Sequence, residues 1–516
     1  MADLNPIAIY SQPGCGRDGT KLDDDSYVDN QWCRYHLRKG LPRKIGGFRR
    51  MTNRLSGISR GLDVFDNANK AYTHSGWSDG LQRFIIDLNG NVSSIVDRTP
   101  AAFVADAENL WQFSQMYDAT QTTTILLAHA APNSNDLSGS STGAVWYGNI
   151  LDSTVLTTTL SPPVSGGVMA LGPYAVSFGS NGVVNYSPVN NVKSGSWVSV
   201  RPTGEKLVFG LPIRAGAGNG PSGLIWGVSA LVRMTFVGGG TVWNFDEITT
   251  QYSILSSQGV IEYDGIFYWP GIDHFLSFNG VIQEVENGMN QDWFYDNLNY
   301  AQSQKVFAMK VPRYGEIWWC YPRDNATECT HAIIYNVRLS KIMGKNIWYD
   351  TELPNGGRSA AQYARVFRRP IMAGIELDID TSGYKLWEHE FQFDEIDGTE
   401  VSAIRSYFET ANFWLANIQP PINNAIYVEY IEPNFVQTGE MSVQIKGSMS
   451  NARAPENSSI PKTFPAVATT TEEQVIYMEE QRRQLRFKFE SNVAGGFYQH
   501  GRSVAQTRPG DGKITS

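Results

Sequence analysis

The sequence has few of the residues that cross-link or charge a chain. Four cysteines in 516 residues are too few for a disulfide scaffold. The charged fraction is 18%, below the roughly one quarter usual for soluble proteins, which excludes a polyelectrolyte tail. No apolar run is long enough for an ordinary transmembrane helix. The first residues lack a basic stretch before an apolar one, so we expect no secretory signal, folding in the cytoplasm and free thiols.

Motifs for catalysis and for metal binding are also scarce. Cys33 with His36, and Cys329 with His331, would form a zinc site only if the two segments met, and no Cys-x-x-Cys unit supports this. The seven histidines stand singly, and no Walker A lysine motif is present. We therefore expect a structural or binding protein that is not an enzyme and that has no metal and no cofactor.

Glycine and aromatic residues are abundant, with 49 Gly, 14 Trp, 24 Tyr and 24 Phe, a mixture that favours short strands and tight turns. Four passages have the pattern of a strand, a glycine turn and a second strand. They are Phe84 to Asp97, Tyr174 to Val189, Ala230 to Ile248 and His274 to Glu286. The spacing of the later turns approaches the length of a four-stranded blade. The pattern predicts a mainly β fold with a divergent β-propeller, and a stack of sandwiches is the second choice.

Two aromatic runs, Phe267 to Trp269 and Ile317 to Tyr321, are typical of strands buried on both faces. Apolar spacing predicts a short helix from Glu400 to Glu409. A second helix is predicted from Glu472 to Arg483, where Glu479 and Arg483 stand four residues apart and could pair. The alternation from Gln484 to Glu490 predicts a half-exposed strand.

Composition divides the chain into three parts. Residues 1–60 are predicted to be an N-terminal arm and part of a platform, and residues 61–390 a propeller-like region. Residues 391–516 are predicted to be a C-terminal β-rich platform with short helices. Both ends of the chain resemble arms that neighbouring structure would order.

A basic block extends from Arg34 to Arg60, where nine basic residues and no acidic residue occur in a chain of net charge −9. Acidic residues from Asp18 to Asp29 precede it. The block could contact phosphates or acidic surface on another subunit. It could also be a solvated face with partners in the same chain.

Several segments resemble the tail nozzle proteins of short-tailed bacteriophages, the packaged-DNA stabilisation family. Near the N-terminus they are GRDGT at 16–20, YVDNQWCRY at 27–35 and GLPRKIGGF at 40–48. Further along they are YDGIFYWPG at 263–271, FNG at 278–280 and SNVAGGFYQ at 491–499.

This resemblance implies a structural virion protein of the phage tail, assembled in the host cytoplasm. Its homohexameric ring would lie beneath the portal and adaptor, extend the DNA channel, retain packaged DNA and serve genome ejection. The resemblance also implies a β-propeller presented outward from a β-rich platform built by both chain ends. Tail fibres or spikes and a needle or plug are further expected partners. The family has no catalytic residues to carry over.

A negatively charged ring would hold passing DNA only weakly. The basic block is therefore predicted to contact the adaptor or a neighbouring subunit, since a ring needs complementary interfaces. The predicted interface residues are Arg34, Arg38, Lys39, Arg43, Lys44, Arg49, Arg50 and Arg54. The alternatives are a carbohydrate-binding or hydrolysing β-propeller of the tail and a nucleic-acid-binding module that uses the basic block.

Overall fold

A computed structural model describes residues 4–20, 25–132, 140–214, 220–366, 368–378, 381–414, 425–448, 455–466 and 474–510. The fold is mainly β, as predicted. Helices within these ranges are short: α1 is Gln291–Asn297 and α2 is Val337–Met343, and 3-10 turns occupy Ser180–Gly182, Ser257–Gly259 and Tyr300–Lys305.

The N-terminal segment contributes seven short strands. They are β1 (Asn5–Ile9), β2 (Gln12–Cys15), β3 (Ser26–Tyr27), β4 (Asp29–Gln31), β5 (Cys33–Tyr35), β6 (Pro42–Lys44) and β7 (Phe48–Leu55). Within this segment, β2 pairs with β3 in parallel, and β5 and β6 form an antiparallel hairpin. The remaining strands pair with distant parts of the chain.

Six antiparallel sheets follow, each built from four consecutive strands. The first two are β8 (Gly61–Asn67), β9 (Lys70–Trp77), β10 (Gly80–Asp87), β11 (Val92–Asp97), and β12 (Leu110–Asp118), β13 (Thr123–Ala131), β14 (Val145–Asn149), β15 (Thr157–Thr158). The next two are β16 (Gly167–Leu171), β17 (Tyr174–Phe178), β18 (Val184–Tyr186), β19 (Val198–Val200), and β20 (Leu207–Ile213), β21 (Ser222–Gly227), β22 (Leu231–Phe236), β23 (Trp243–Thr249). The last two are β24 (Ile261–Tyr263), β25 (Ile266–Pro270), β26 (Phe275–Phe278), β27 (Ile282–Glu284), and β28 (Phe307–Val311), β29 (Glu316–Tyr321), β30 (His331–Asn336), β31 (Trp348–Glu352).

The seventh sheet contacts both the first and the sixth sheet. Its strands are β32 (Arg358–Ala364), β33 (Arg369–Asp378), β34 (Gly383–His389), β35 (Glu395–Asp397) and β36 (Glu400–Ser402), with β7 inserted between β34 and β35. β7 runs antiparallel to β34 and parallel to β35. A strand from the N-terminal segment therefore completes the sheet that precedes the C-terminal part.

The first strands of six sheets, together with one 3-10 turn, form a closed circuit of contacts, and the first strand of the remaining sheet, β24, joins it through β28. β8 contacts β12, β12 contacts β16, β16 contacts β20, and β32 contacts β8 again. Between β20 and β28 the circuit passes through the 3-10 turn Ser257–Gly259, and β28 also contacts β24 and β32. The backbone just before β16 lies so close to β20 that glycine is required at position 166. A Cβ on Gly166 would lie 1.9 Å from the Leu207 carbonyl oxygen.

The remaining strands combine with the N-terminal ones. They are β37 (Ser406–Glu409), β38 (Phe413–Trp414), β39 (Ile426–Glu432), β40 (Phe435–Thr438), β41 (Met441–Ser448), β42 (Asn457–Ser458), β43 (Lys462–Phe464), β44 (Ile476–Arg482), β45 (Gln484–Ser491), β46 (Phe497–His500) and β47 (Ser503–Pro509). Three sheets result, with strand orders β1-β47-β39-β44, β4-β37-β45-β41-β42 and β40-β46-β6-β5. β38 lies beside β45, and β43 lies beside β41. We call these three sheets the end body. One continuous buried cluster extends from it into the sheets around Trp318 and Trp348.

The four predicted hairpins are confirmed as β10-β11, β17-β18, β22-β23 and β26-β27. The two aromatic runs lie in β25 and β29, and the strand predicted from Gln484 to Glu490 is β45. All residues of β29 are buried because neighbouring sheets cover both faces.

Both predicted helices are wrong. Glu400 to Glu409 contains β36 and β37, and β37 lies inside a sheet between β4 and β45. Residues 472 and 473 lie outside the described ranges, and the described part of the second segment contains β44, where Ile476 and Met478 are buried while Tyr477 and Glu479 are exposed. Pairing with distant strands outweighs the local helical spacing in both segments, and β44 also shows period-two burial.

Candidate functional site: the basic block and the central cavity

Two members of the basic block are buried and bind partners within the chain. The Arg34 guanidinium donates hydrogen bonds to Glu316 at 3.0 Å and to Glu390 at 2.5 Å. Burial opposes the charge of Arg34, but the two carboxylates outweigh it and raise the pKa of the guanidinium above its usual value. Lys44 donates to the Gly496 carbonyl at 2.8 Å, and burial lowers the pKa of its ammonium group to about 8.

Three other members also have partners in the same chain. Arg49 pairs with Glu388 at 2.6 Å, and Arg50 pairs with Asp397 at 2.8 Å. Arg43 lies over the Phe497 ring at 5.2 Å. These side chains hold β6 and β7 against distant segments, so their contacts are intramolecular.

Arg38, Lys39 and Arg54 are the exposed members of the block. Arg38 and Lys39 occupy the turn between β5 and β6, and Arg54 lies near the end of β7. The eight predicted interface residues are therefore not one continuous basic surface. Their role in assembly stays a prediction.

The carboxylate partners could not be found by sequence reasoning. Glu316 lies 282 residues from Arg34, and Glu388 lies 339 residues from Arg49. Arg17, from the acidic part of the N-terminal segment, likewise bonds Asp350 at 3.1 Å. The local signal is the excess of cations between Arg34 and Arg60. Any of these cations that is buried requires an acidic partner from elsewhere in the chain.

A cavity of about 290 Å³ lies where the first strands of the sheets converge. Its lining comes from β8, β12, β20, β24, β28 and β32 and from the turn that contains Gln258. The Gln258 amide donates to the Arg60 carbonyl at 2.5 Å. This hydrogen bond links the turn Ser257–Gly259 to the segment that leads into β8. The Gln112 amide joins three sheets by donating to the carbonyls of Gly166 and Val208.

The charges that line this cavity are mixed in sign. Lys310 lies 3.5 Å from Glu262, and Asp63 and Arg214 complete the charged lining. Burial raises the pKa of the Asp63 carboxyl to about 6, against a hydrogen bond from the Gln115 amide at 2.8 Å that favours the ionised form. A space of this size matches the lower end of small-molecule pockets, which begin at about 300 Å³.

The structure brings no metal site together within the described ranges. No group of three His, Cys, Asp or Glu side chains that could hold a metal ion occurs there. All four cysteines are buried free thiols, and burial raises the pKa of Cys33 to about 12. Neither described α-helix is long and apolar enough to cross a membrane.

No family model and no curated protein matches the chain. Among solved structures, a fungal alcohol oxidase of the AA5 family in complex with copper is similar, with a TM-score of 0.45 and 10% sequence identity. The match covers 90% of this chain and 99% of the oxidase chain.

The prediction that the chain is not an enzyme stands contradicted by this finding and is withdrawn. At this TM-score and identity the likeness transfers neither the alcohol oxidase activity nor the copper to this chain.

Replacement of Arg34 by alanine is expected to lower the free energy of unfolding by about 3–5 kcal/mol, because it leaves buried Glu316 without its cationic partner. The matched control is Arg54→Ala, which removes an exposed side chain of the same type and is expected to change stability by about 0.5 kcal/mol or less. Urea denaturation of both variants measures the difference. Equal losses would contradict the role given to the Arg34 cluster.

Asp63→Asn is expected to stabilise the protein at pH 8 and to have no such effect near pH 4. The folded pKa of about 6 lies above the unfolded value, so the folded state binds more protons and the native carboxyl loses stability as pH rises from about 4 to 6. The gain above pH 6 should reach about 1–3 kcal/mol. Thermal unfolding across this pH range measures it, with exposed Asp246→Asn as control. A pH-independent effect would contradict the assignment.

Proposed function

We propose that this chain is a tail nozzle protein of a short-tailed bacteriophage. The observation that carries the proposal is a division into two parts: a circuit of seven sheets, and an end body to which both ends of the chain contribute. This is the division that the sequence resemblance implies, with a propeller presented outward from a platform. The GRDGT, YVDNQWCRY and GLPRKIGGF segments belong to the N-terminal part, and SNVAGGFYQ spans the end of β45 and most of β46.

We propose that the seven sheets form a seven-bladed β-propeller. Support comes from the uninterrupted order of strands within six sheets and from the closed circuit of contacts through their first strands and the turn Ser257–Gly259. In this arrangement β7 would close the propeller by completing the last blade with a strand from the N-terminal segment. The closure would fix the two parts of the chain to each other.

In this proposal DNA passes between subunits and not through the centre of one propeller. The central cavity measures about 290 Å³, and the side chain of Gln258 bonds across part of it. A channel for a duplex therefore requires several copies around a common axis, and we propose a hexamer. A net charge of −9 per copy would repel phosphates and keep the channel weakly adhesive.

The ring would join the portal and adaptor on one side and carry fibres or spikes and a needle or plug on the other. We place the protein in the virion tail, with assembly in the host cytoplasm. Retention of packaged DNA would then depend on what closes the axis of the ring, and ejection on its opening.

Electron microscopy of the purified protein, alone and mixed with its cognate portal and adaptor complex, tests this function. We expect rings with a central opening, and native mass spectrometry should give six copies of the 57.4 kDa chain. Particles that never form rings and never join the adaptor would overturn the proposal. In that case binding and cleavage of host polysaccharides would be measured next, because the carbohydrate alternative predicts them.

A further inference from the structure

A basic groove of about 680 Å³ lies on the end body. Four segments line it: residues 10–13, the turn around Arg38 and Lys39, the segment around Val436, and residues 499–502. Among the described residues, the lining includes three cations, Arg38, Lys39 and Arg502, and no Asp or Glu. In a chain with an excess of acidic residues, such a concentration of cations is unusual.

These three cations are exposed and have no carboxylate partner among the described residues. Arg502 lies over the Tyr10 ring at 4.8 Å, a contact that leaves its charge uncompensated. By contrast, Arg34, Arg49 and Arg50 all form ion pairs within the chain. The fold therefore neutralises Arg34, Arg49 and Arg50 and leaves the three cations at the groove available to a partner.

The groove also adjoins an unpaired sheet edge. β40 is the edge strand of the sheet β40-β46-β6-β5, and among the described strands it pairs only with β46. Its Val436 is 68% exposed, and Tyr10 across the groove is 45% exposed. An open edge exposes backbone N–H and C=O groups with which an extended peptide can form hydrogen bonds. The bound peptide would also cover the exposed apolar side chains.

We propose that this groove receives an extended acidic segment of a second copy of the chain, as the contact between neighbouring subunits of the ring. The inference rests on the proposed function and adds Arg502, Tyr10 and Val436 to the interface. Each copy carries 51 acidic and 42 basic residues, so a neighbour presents the opposite sign of charge. A head-to-tail ring needs two different complementary patches on each copy, and an edge strand beside cations fits a peptide better than a duplex.

The first test is the double variant Arg38→Glu with Lys39→Glu. It is expected to raise the protein concentration needed for half-maximal ring formation at least tenfold, because like charges would then face each other. Raised salt should weaken wild-type assembly in the same direction, since salt screens exposed charge pairs. Analytical ultracentrifugation measures both effects.

The matched control is Lys193→Glu with Arg201→Glu, which makes the same charge change at two exposed positions outside the groove. Rings from the control but not from the groove variant support the inference. Rings from both variants overturn it and leave the nozzle proposal intact. A wild-type protein that forms no rings, alone or with the adaptor, overturns both.

A second test does not depend on charge reversal. A photo-crosslinking amino acid at exposed Val436, in otherwise wild-type protein, is expected to capture an acidic peptide of another copy. Mixing heavy-isotope and light copies identifies links between copies by mass spectrometry. Links only to DNA, only to the adaptor or only within one copy would overturn the assignment of a second copy.

Discussion

The buried contact of Arg34 with Glu316 and Glu390 is the constraint on which the arrangement of the chain depends. It joins the N-terminal segment, the sixth sheet and the segment after β34, with Arg34 and Glu316 buried. A buried charge is tolerated only with a well-placed partner, so the three segments are fixed in one relative position. Tyr349 and Trp318 donate further hydrogen bonds to Glu316, which satisfies the remaining oxygen lone pairs.

The same N-terminal segment serves both parts of the molecule. β7 completes the seventh sheet of the circuit, whereas β4, β5 and β6 enter sheets of the end body. Arg49 with Glu388 holds β7 in place, and Phe48 packs edge-on against Trp387 at 5.1 Å. One stretch of chain from β4 to β7 therefore pairs with strands of both parts and joins the circuit to the end body.

The cations of the chain differ in whether the fold pairs them with carboxylates. Arg49 and Arg50 pair with carboxylates from distant parts of the chain, whereas Arg38, Lys39 and Arg502 line the groove on the end body. The proposed ring thus depends on three cations that form no ion pair with the described residues of their own chain. The proposed channel depends in turn on the net negative charge of the copies around the axis.

Features that depend on neighbouring residues follow from the local sequence. Asn-Gly turns such as Asn89-Gly90, the aromatic strand Ile317 to Tyr321 and the alternating strand β45 were all predictable, because turn geometry and burial period are local properties. Long-range contacts make Ser406 to Glu409 a strand, place β7 in the seventh sheet and select which cations find partners. Those outcomes depend on groups hundreds of residues apart, such as Arg34 and Glu316, and no local spacing encodes which of the many carboxylates a buried guanidinium will meet.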